Sequence, residues 1–321
     1  MPCAKPMLRW QPSRRRIEAT PDHQKPAKKM KAGKKRREQK MKRSRFIAAV
    51  LVAGLSLSAS AIMAKDWTHV RVGIEGAFPP WNALDSKGEL TGFDVDLIMD
   101  LCTRAKVECE LITGEWTSLI PSLNAGKFDL VMTLGINEKR KQVVDFTVPY
   151  ASGFATFLIT KGGPVPELPM TGERLNLNDK EKADPVMKTI GEALDGKAIG
   201  VVQATSQEQL IRAYFGDTVT VRTYKTSGER DLDLKAGRID AGFDSGVYGT
   251  SILAKPGNED LAMTGPLIKG AMLATEVAMG MRKGETELKE KFDAAIKSAA
   301  ADGVIRSLSE KWSKLDLTPS F

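Results

Sequence analysis

Histidine and cysteine are nearly absent, with two His and three Cys in 321 residues. That scarcity excludes a CxxC zinc module, and no HExxH pair occurs. The chain also lacks GxGxxG, a Walker A loop and a GxSxG elbow, so dinucleotide, P-loop and serine-hydrolase chemistry have no motif to rest on. Acidic residues are scarce in the first 64 positions, where 17 Lys and Arg face only Glu18, Asp22 and Glu38, a net of +14. The remaining 257 residues carry 31 basic and 37 acidic side chains, a net of −6. The overall formal charge of +8 is therefore no sign of a nucleic-acid binder, because the basic excess lies outside the globular part.

What is present begins with an address. Residues 1–40 are rich in Lys, Arg and Pro and too poor in apolar periodicity to fold. Met41-Lys42-Arg43-Ser44-Arg45 then precedes an apolar run, Phe46 to Leu57, and a small-residue stretch, Ser58 to Ala64. This is the n-region, h-region and cleavage region of a secretory signal peptide over 41–64, with Ala59-Ser60-Ala61 or Ala64 at the cut. The alternative, a membrane anchor, needs ~20 apolar residues. Translation is expected to start at Met41, leaving 1–40 as an over-long start.

Export changes the reading of Cys102 and Cys109. Asp94–Ala105 reads as a helix, with Ile98, Leu101, Cys102 and Ala105 on one face and a capping box at Thr91 and Asp94. Val107, Cys109 and Leu111 alternate as a strand. In an oxidising compartment a bridge would join the helix's last turn to that strand, the alternative being two buried free thiols.

A repeat divides the body. Leu123-Asn124-Ala125-Gly126-Lys127-Phe128-Asp129 recurs as Leu234-Lys235-Ala236-Gly237-Arg238-Ile239-Asp240. Both read as a helix end, a Gly cap and a strand opening. Each copy closes a βαβα half, the first from Val70 and the second from Ala198, so two α/β lobes are expected. Gly153–Thr160 and Leu273–Met281 read as two apolar crossing strands of a hinge, which assigns 65–153 and 274–321 to lobe 1 and 154–273 to lobe 2. Pro164–Pro185 reads as a polar surface excursion of lobe 2. Ligands of open α/β sheets sit beyond the carboxyl ends of strands. That rule nominates Glu75 to Trp81, Trp116, Thr133 to Gly135, Gln203 to Gln207, Asp244 and Ser245, with Arg140 nearby as a cation.

From about Val70 onward the chain resembles the periplasmic solute-binding proteins of polar amino-acid ABC transporters, in the lysine/arginine/ornithine and octopine/nopaline branch. The resemblance rests on Gly92-Phe93-Asp94-Val95-Asp96-Leu97, Ile120-Pro121-Ser122-Leu123, Glu138-Lys139-Arg140, Asp145-Phe146-Thr147, Gln203-Ala204-Thr205-Ser206-Gln207 and Ala236-Gly237-Arg238-Ile239-Asp240, in that order and spacing. It implies an α/β, two-lobe periplasmic-binding-protein fold of type II with two crossing strands as hinge. The pair Cys102 and Cys109 matches the family's short disulfide, and the excursion around 164–190 resembles the opine-binding members.

The resemblance also implies a site. Arg140 matches the arginine that grips a ligand's α-carboxylate, apt chemistry for a guanidinium fork. Thr205 and Ser206 match residues whose backbone N–H groups hold the same carboxylate at a helix N-terminus. Gly135 matches a backbone contact, Phe78 and Trp116 match aromatics that sandwich the ligand side chain, and Glu75 matches the acid that meets its cationic end. Trp81 is read as core. There are departures: Ser245, with Asp244 beside it, stands where an Asp usually meets the α-amino group, as in opine binders; Ala204 replaces a usual Gly next to Gln203; and the segment from Asp129 to Arg140 is one residue shorter than usual, which touches the role of Thr133.

The expected protein is a monomeric periplasmic receptor of a Gram-negative cell, closing on a basic amino acid or an arginine-type opine such as octopine or nopaline and presenting it to an inner-membrane ABC permease. It needs no cofactor, metal or nucleic acid and has no catalytic residue. Signalling rather than import stays open, as do a neutral or acidic amino acid as ligand and a periplasmic enzyme resembling cyclohexadienyl dehydratase, with Glu75 as its acid. N-terminal sequencing of the exported chain is expected to begin at Ile62 or Lys65. A mature chain that keeps any part of residues 1–40 would contradict this reading.

Overall fold

The computed structural model describes Lys65 and residues 67–321; the leader and the expected signal peptide lie outside the described residues. The chain opens with β1 (His69–Ile74), in which Val70, Val72 and Ile74 alternate into one core as strand geometry requires. A small antiparallel sheet follows, from β2 (Ala77–Phe78), β3 (Asn82–Leu84) and β4 (Leu90–Thr91). Then come α1 (Phe93–Ala105), β5 (Glu108–Thr113), α2 (Trp116–Asn124), β6 (Leu130–Gly135), α3 (Glu138–Lys141), β7 (Asp145–Phe146) and β8 (Ala151–Ser152).

Helix α1 does not start as expected. Its N-cap is Gly92, with φ 129°, and an added Cβ there would lie 2.5 Å from the Trp81 carbonyl oxygen, so glycine is required. Thr91 and Asp94 form no capping box, because Asp94 is buried and its carboxylate is taken up by Asn82, Thr133 and Tyr150. The C-terminal end of α1 is tied to β5 by the Cys102–Cys109 disulfide, with Cα atoms 6.2 Å apart.

The second sheet is built from β9 (Ala155–Thr160), β10 (Arg174–Asn176), α4 (Lys180–Ala193), β11 (Ala198–Val202), α5 (Ser206–Phe215), β12 (Thr220–Tyr224), α6 (Ser227–Lys235), β13 (Ala241–Ser245), α7 (Gly246–Leu253) and β14 (Leu261–Lys269). Its strand order is β10-β14-β9-β13-β11-β12. The stretch read as a polar surface excursion is a packed part of this lobe. Strand β10 runs parallel to β14, and Val165, Leu168, Leu175, Leu177, Ala183, Met187 and Ile190 are all buried in the lobe's core. Apolar residues spaced singly among charges hid that pattern.

The chain then returns as β15 (Glu276–Met281), followed by α8 (Thr286–Ala301) and α9 (Val304–Ser313). Strand β15 inserts antiparallel between β6 and β7, giving the first sheet the order β5-β1-β6-β15-β7, with β8 also on β15. Leu288, Phe292, Ala295, Ile296 and Ala299 of α8 lie buried against the first core. Each strand expected to cross thus belongs to one sheet, and the backbone before it makes the passage. The two passages touch: the Gly153 N–H donates to the Thr275 carbonyl at 2.9 Å.

The repeated motif has one structure in both halves. Gly126 and Gly237 are left-handed (φ 76° and 67°) after α2 and α6. Asp129 and Asp240 then each accept the backbone N–H of a residue on the adjoining strand, Arg71 at 3.1 Å and Ala198 at 2.7 Å.

Beneath the second sheet the fully buried Arg230 of α6 is paired with Asp231 and Asp244. A buried charge needs such partners. Room for it comes from two glycines: a Cβ on Gly200 would lie 2.8 Å from Arg230 Cγ, and one on Gly242 would lie 2.8 Å from Arg230 Nε. Gly242→Ala is accordingly expected to destabilise the fold by about 1–3 kcal/mol, measured as a lower urea midpoint. An unchanged midpoint would show that Arg230 has room to move.

Candidate functional site

The carboxyl ends of β1, β6, β11 and β13 converge with the two passages on a cavity of about 770 Å³, part of it open to solvent. From the first lobe it is lined by Glu75, Phe78, Trp81, Trp116, Thr133, Gly135 and Arg140, and from the second by Val202, Thr205, Ser206, Gln207, Ser227, Asp244 and Ser245. Gly153, Phe154, Ala274, Thr275 and Val277 close it where the chain passes between the sheets.

Arg140 is the centre of its charge distribution. Asn137 caps the short α3, its side chain accepting the Arg140 N–H at 2.8 Å, and so aims the residue. The guanidinium is 9 % exposed and donates to the Gly135 carbonyl at 2.8 Å. It approaches the Ala204 carbonyl at 3.5 Å and lies 5.0 Å from the centre of the Trp116 ring. No carboxylate of the described residues is within ion-pair distance of it. Burial alone pulls its pKa down to about 10. A buried guanidinium fork with unused donors has the chemistry to take up an anion.

Beside it, α5 begins. Thr205 caps the helix, its hydroxyl accepting the Glu208 N–H at 3.1 Å and donating to the Val202 carbonyl at 2.6 Å. The buried Ser206 accepts the Ala274 N–H at 3.1 Å, which ties the helix start to the returning passage. The first backbone N–H groups of a helix have no intrahelical acceptor and carry a partial positive charge. They give this part of the lining the same positive sign as Arg140.

The lining also carries two carboxylates, Glu75 and Asp244. Glu75 lines the cavity and forms neither a hydrogen bond nor an ion pair with the described residues. Burial, and secondly the charge of Asp244, push its carboxyl up to about 7. Asp244 is fixed: one oxygen accepts from Arg230 and from the Ser227 hydroxyl at 2.6 Å, the other from the Ser245 N–H at 2.6 Å. Ser245 precedes α7 without capping it through its side chain.

The aromatic walls differ from a free sandwich. Phe78 stacks on Tyr248 of α7, with centroids 5.5 Å apart and planes 9° from parallel, so one face of its ring is occupied by protein. Trp116 carries the Arg140 guanidinium. Trp81 is core, 2 % exposed, yet it also borders the cavity. Its indole N–H and that of Trp116 are buried without an acceptor among the described residues.

Thr133 is left-handed (φ 61°), where β6 carries one residue more than β15 opposite. Its polar atoms are already engaged: the N–H donates to Tyr150 Oη at 2.9 Å, the hydroxyl donates to Asp94, and Asn82 Nδ2 donates to that hydroxyl at 3.0 Å. Desolvation pushes the buried Asp94 carboxyl up to about 6 in spite of these donors. Thr133 therefore shapes the wall. Gly135 offers its carbonyl to Arg140, and a Cβ there would lie 2.2 Å from the Ala274 carbonyl oxygen.

Gln203 is not brought into the lining. Its N–H donates to the Tyr224 carbonyl, and the chain turns at the left-handed Ala204 (φ 59°), which presents only its carbonyl to Arg140. Gln207, nominated by the carboxyl-end rule, lines the cavity, and so do Ser227, Phe154 and Thr275, which were not nominated. Ser227 follows the end of β12, a strand end that the carboxyl-end rule covers but that the sequence reading left unused. Phe154 and Thr275 were read only as hinge.

Two α/β lobes joined by two passages, with a buried guanidinium and two carboxylates lining the cavity between them, define the class: a two-lobe binding protein of the periplasmic type. The chain belongs to the bacterial extracellular solute-binding proteins, family 3, whose model matches residues 70–315. It is 34 % identical over 295 residues to the octopine-binding periplasmic protein of Rhizobium meliloti, covering 85 % of this chain and 99 % of that one. It is 32 % identical over 281 residues to the L-arginine-binding protein of Pseudomonas aeruginosa, covering 86 % and 98 %. Among solved structures, a periplasmic His/Glu/Gln/Arg/opine family-binding protein from Silicibacter pomeroyi in complex with lysine superposes with a TM-score of 0.63 at 29 % identity, covering 78 % of this chain and all of that one.

Proposed function

We propose that this chain is the periplasmic receptor of an ABC importer for a basic amino acid or an arginine-type opine. The observation that carries the reading is the buried Arg140, which has no carboxylate partner among the described residues and lines one cavity with Glu75 and Asp244. A zwitterion with a remote cation fits that polarity. Its α-carboxylate sits on Arg140 and the first N–H groups of α5, its chain passes Phe78 and Trp116, and its cationic end reaches Glu75. Ser245 supplies a hydroxyl to the α-amine. A substituted, secondary amine suits a hydroxyl better than a free ammonium does, which favours opines, and the relatives named above bind octopine and arginine.

The lobes divide at 153/154 and 273/274, and closure about the two passages buries the ligand and presents the closed form to an inner-membrane permease. No catalysis is assigned. The cavity lining contains no His, and the second carboxylate, Asp244, is held by Arg230, Ser227 and the Ser245 N–H.

Calorimetry with octopine, nopaline, arginine, lysine and glutamine is expected to rank the cationic ligands first, with the ligand recovered unchanged. Arg140→Ala is expected to lose at least one charge-assisted contact, ~1.5–3 kcal/mol, or roughly a hundredfold in affinity. Tight glutamine or glutamate binding with no response to cationic ligands would overturn the assignment.

A further inference from the structure

We propose that Glu75 and Asp244 form a split acidic clamp, one carboxylate from each lobe, which one cationic group of the ligand must bridge, so that the receptor selects side-chain charge through closure of the cleft. The inference rests on the closing-receptor reading above and adds the determinant of selectivity.

Its first basis is placement. Glu75 follows β1 in the first sheet, Asp244 belongs to β13 in the second, and both line one cavity. The Phe78–Tyr248 stack holds the two walls together beside them. Its second basis is that the two carboxylates are treated oppositely. Asp244 is locked by Arg230, Ser227 and the Ser245 N–H. Arg230 cannot follow a rearrangement, because it fills the slot left by Gly200 and Gly242 and also pairs with Asp231, which accepts from Tyr248 Oη at 2.7 Å. Glu75 has no partner at all among the described residues.

The charged group that acts on Glu75 is Asp244 on β13, with Arg230 and Asp231 of α6 and Tyr248 of α7 behind it, while Arg140 on α3 lines the same cavity. Arg140 is assigned to the ligand's carboxylate. Arg230 is shared by two acids, so that cluster keeps one net negative charge facing Glu75. In the closed cleft, Glu75 must then either take a proton or meet a cation. Its carboxyl near 7 reports the first case. A guanidinium or ammonium between the two carboxylates replaces the proton. A neutral side chain of the same shape cannot, so it closes the cleft only with Glu75 protonated.

Arginine and its uncharged isostere citrulline separate these cases. Burial and the charge of Asp244 push the Glu75 carboxyl up to about 7 where no cation meets it. The sign follows from linkage: a complex that leaves Glu75 unpartnered is expected to hold that proton at low pH and to lose its stabilisation as pH rises through about 7, while a complex with a cation there keeps Glu75 ionised. The preference for arginine over citrulline is expected to grow about tenfold from pH 6 to pH 8, measured by calorimetry. Glu75→Gln, which breaks no hydrogen bond to the described residues, is expected to remove this pH dependence and to raise citrulline affinity at pH 8. Asp244→Asn is expected to move its midpoint to lower pH. A preference that is equal at both pH values in the unmodified protein, or unmoved by both variants, overturns the clamp and leaves the ligand reading standing. Failure of every cationic ligand to bind overturns that reading, and the clamp with it.

Discussion

The cleft is organised around one costly arrangement, a guanidinium taken out of water with only carbonyls and an aromatic face to meet it. Arg140 has lost most of its hydration and gained no counter-charge, which is why its pKa falls. Such a group raises the free energy of the unliganded site, and an incoming carboxylate recovers that cost. Everything nearby serves to keep Arg140 in place: the Asn137 cap, the Gly135 carbonyl, the Trp116 face and the start of α5.

Each wall is backed by a network of buried polar side chains. In the first lobe, Asp94 gathers Asn82, Thr133 and Tyr150, while Asn82 Oδ1 accepts the Gly76 N–H at 2.7 Å, next to Glu75. That network holds the left-handed bulge of β6 and the chain after β1 in register with each other. In the second lobe, Arg230 joins Asp231, Asp244 and Tyr248. Fully satisfied networks of this kind are rigid, because each buried member left unpaired would cost about 1–3 kcal/mol. Rigid walls on either side of two short passages suit the proposed motion, in which the lobes move as bodies and the walls keep their shape.

Much of this was legible in the sequence because it is local. The order of strands and helices follows from apolar periodicity and glycine caps, and the duplicated Gly126 and Gly237 turns expose the two halves. Cys102 and Cys109 lie at the facing ends of one helix–strand pair. Arg140, Thr205, Ser206, Glu75 and Asp244 follow from strand ends combined with family spacing. What was hidden depends on long-range packing. Arg230 sits among charged residues, Glu229 to Asp233, and its slot is made by Gly200 and Gly242, which lie on strands β11 and β13. Asp94 reads as a helix cap because its partners Thr133 and Tyr150 are 39 and 56 residues away. The stretch Pro164–Pro185 reads as polar because its buried residues are scattered singly. Gln203 reads as a contact because a left-handed turn at Ala204 cannot be seen without coordinates.

The central claim is that Arg140 is held for a carboxylate. Agmatine is arginine without that carboxylate and with the same guanidinium end. A thermal-shift comparison at matched concentrations tests the claim most directly, since a ligand raises the unfolding temperature in proportion to its preference for the folded state. The account predicts a clear upward shift with arginine or octopine and little or none with agmatine. An equal shift with agmatine would contradict it, because the cationic end alone would then account for binding.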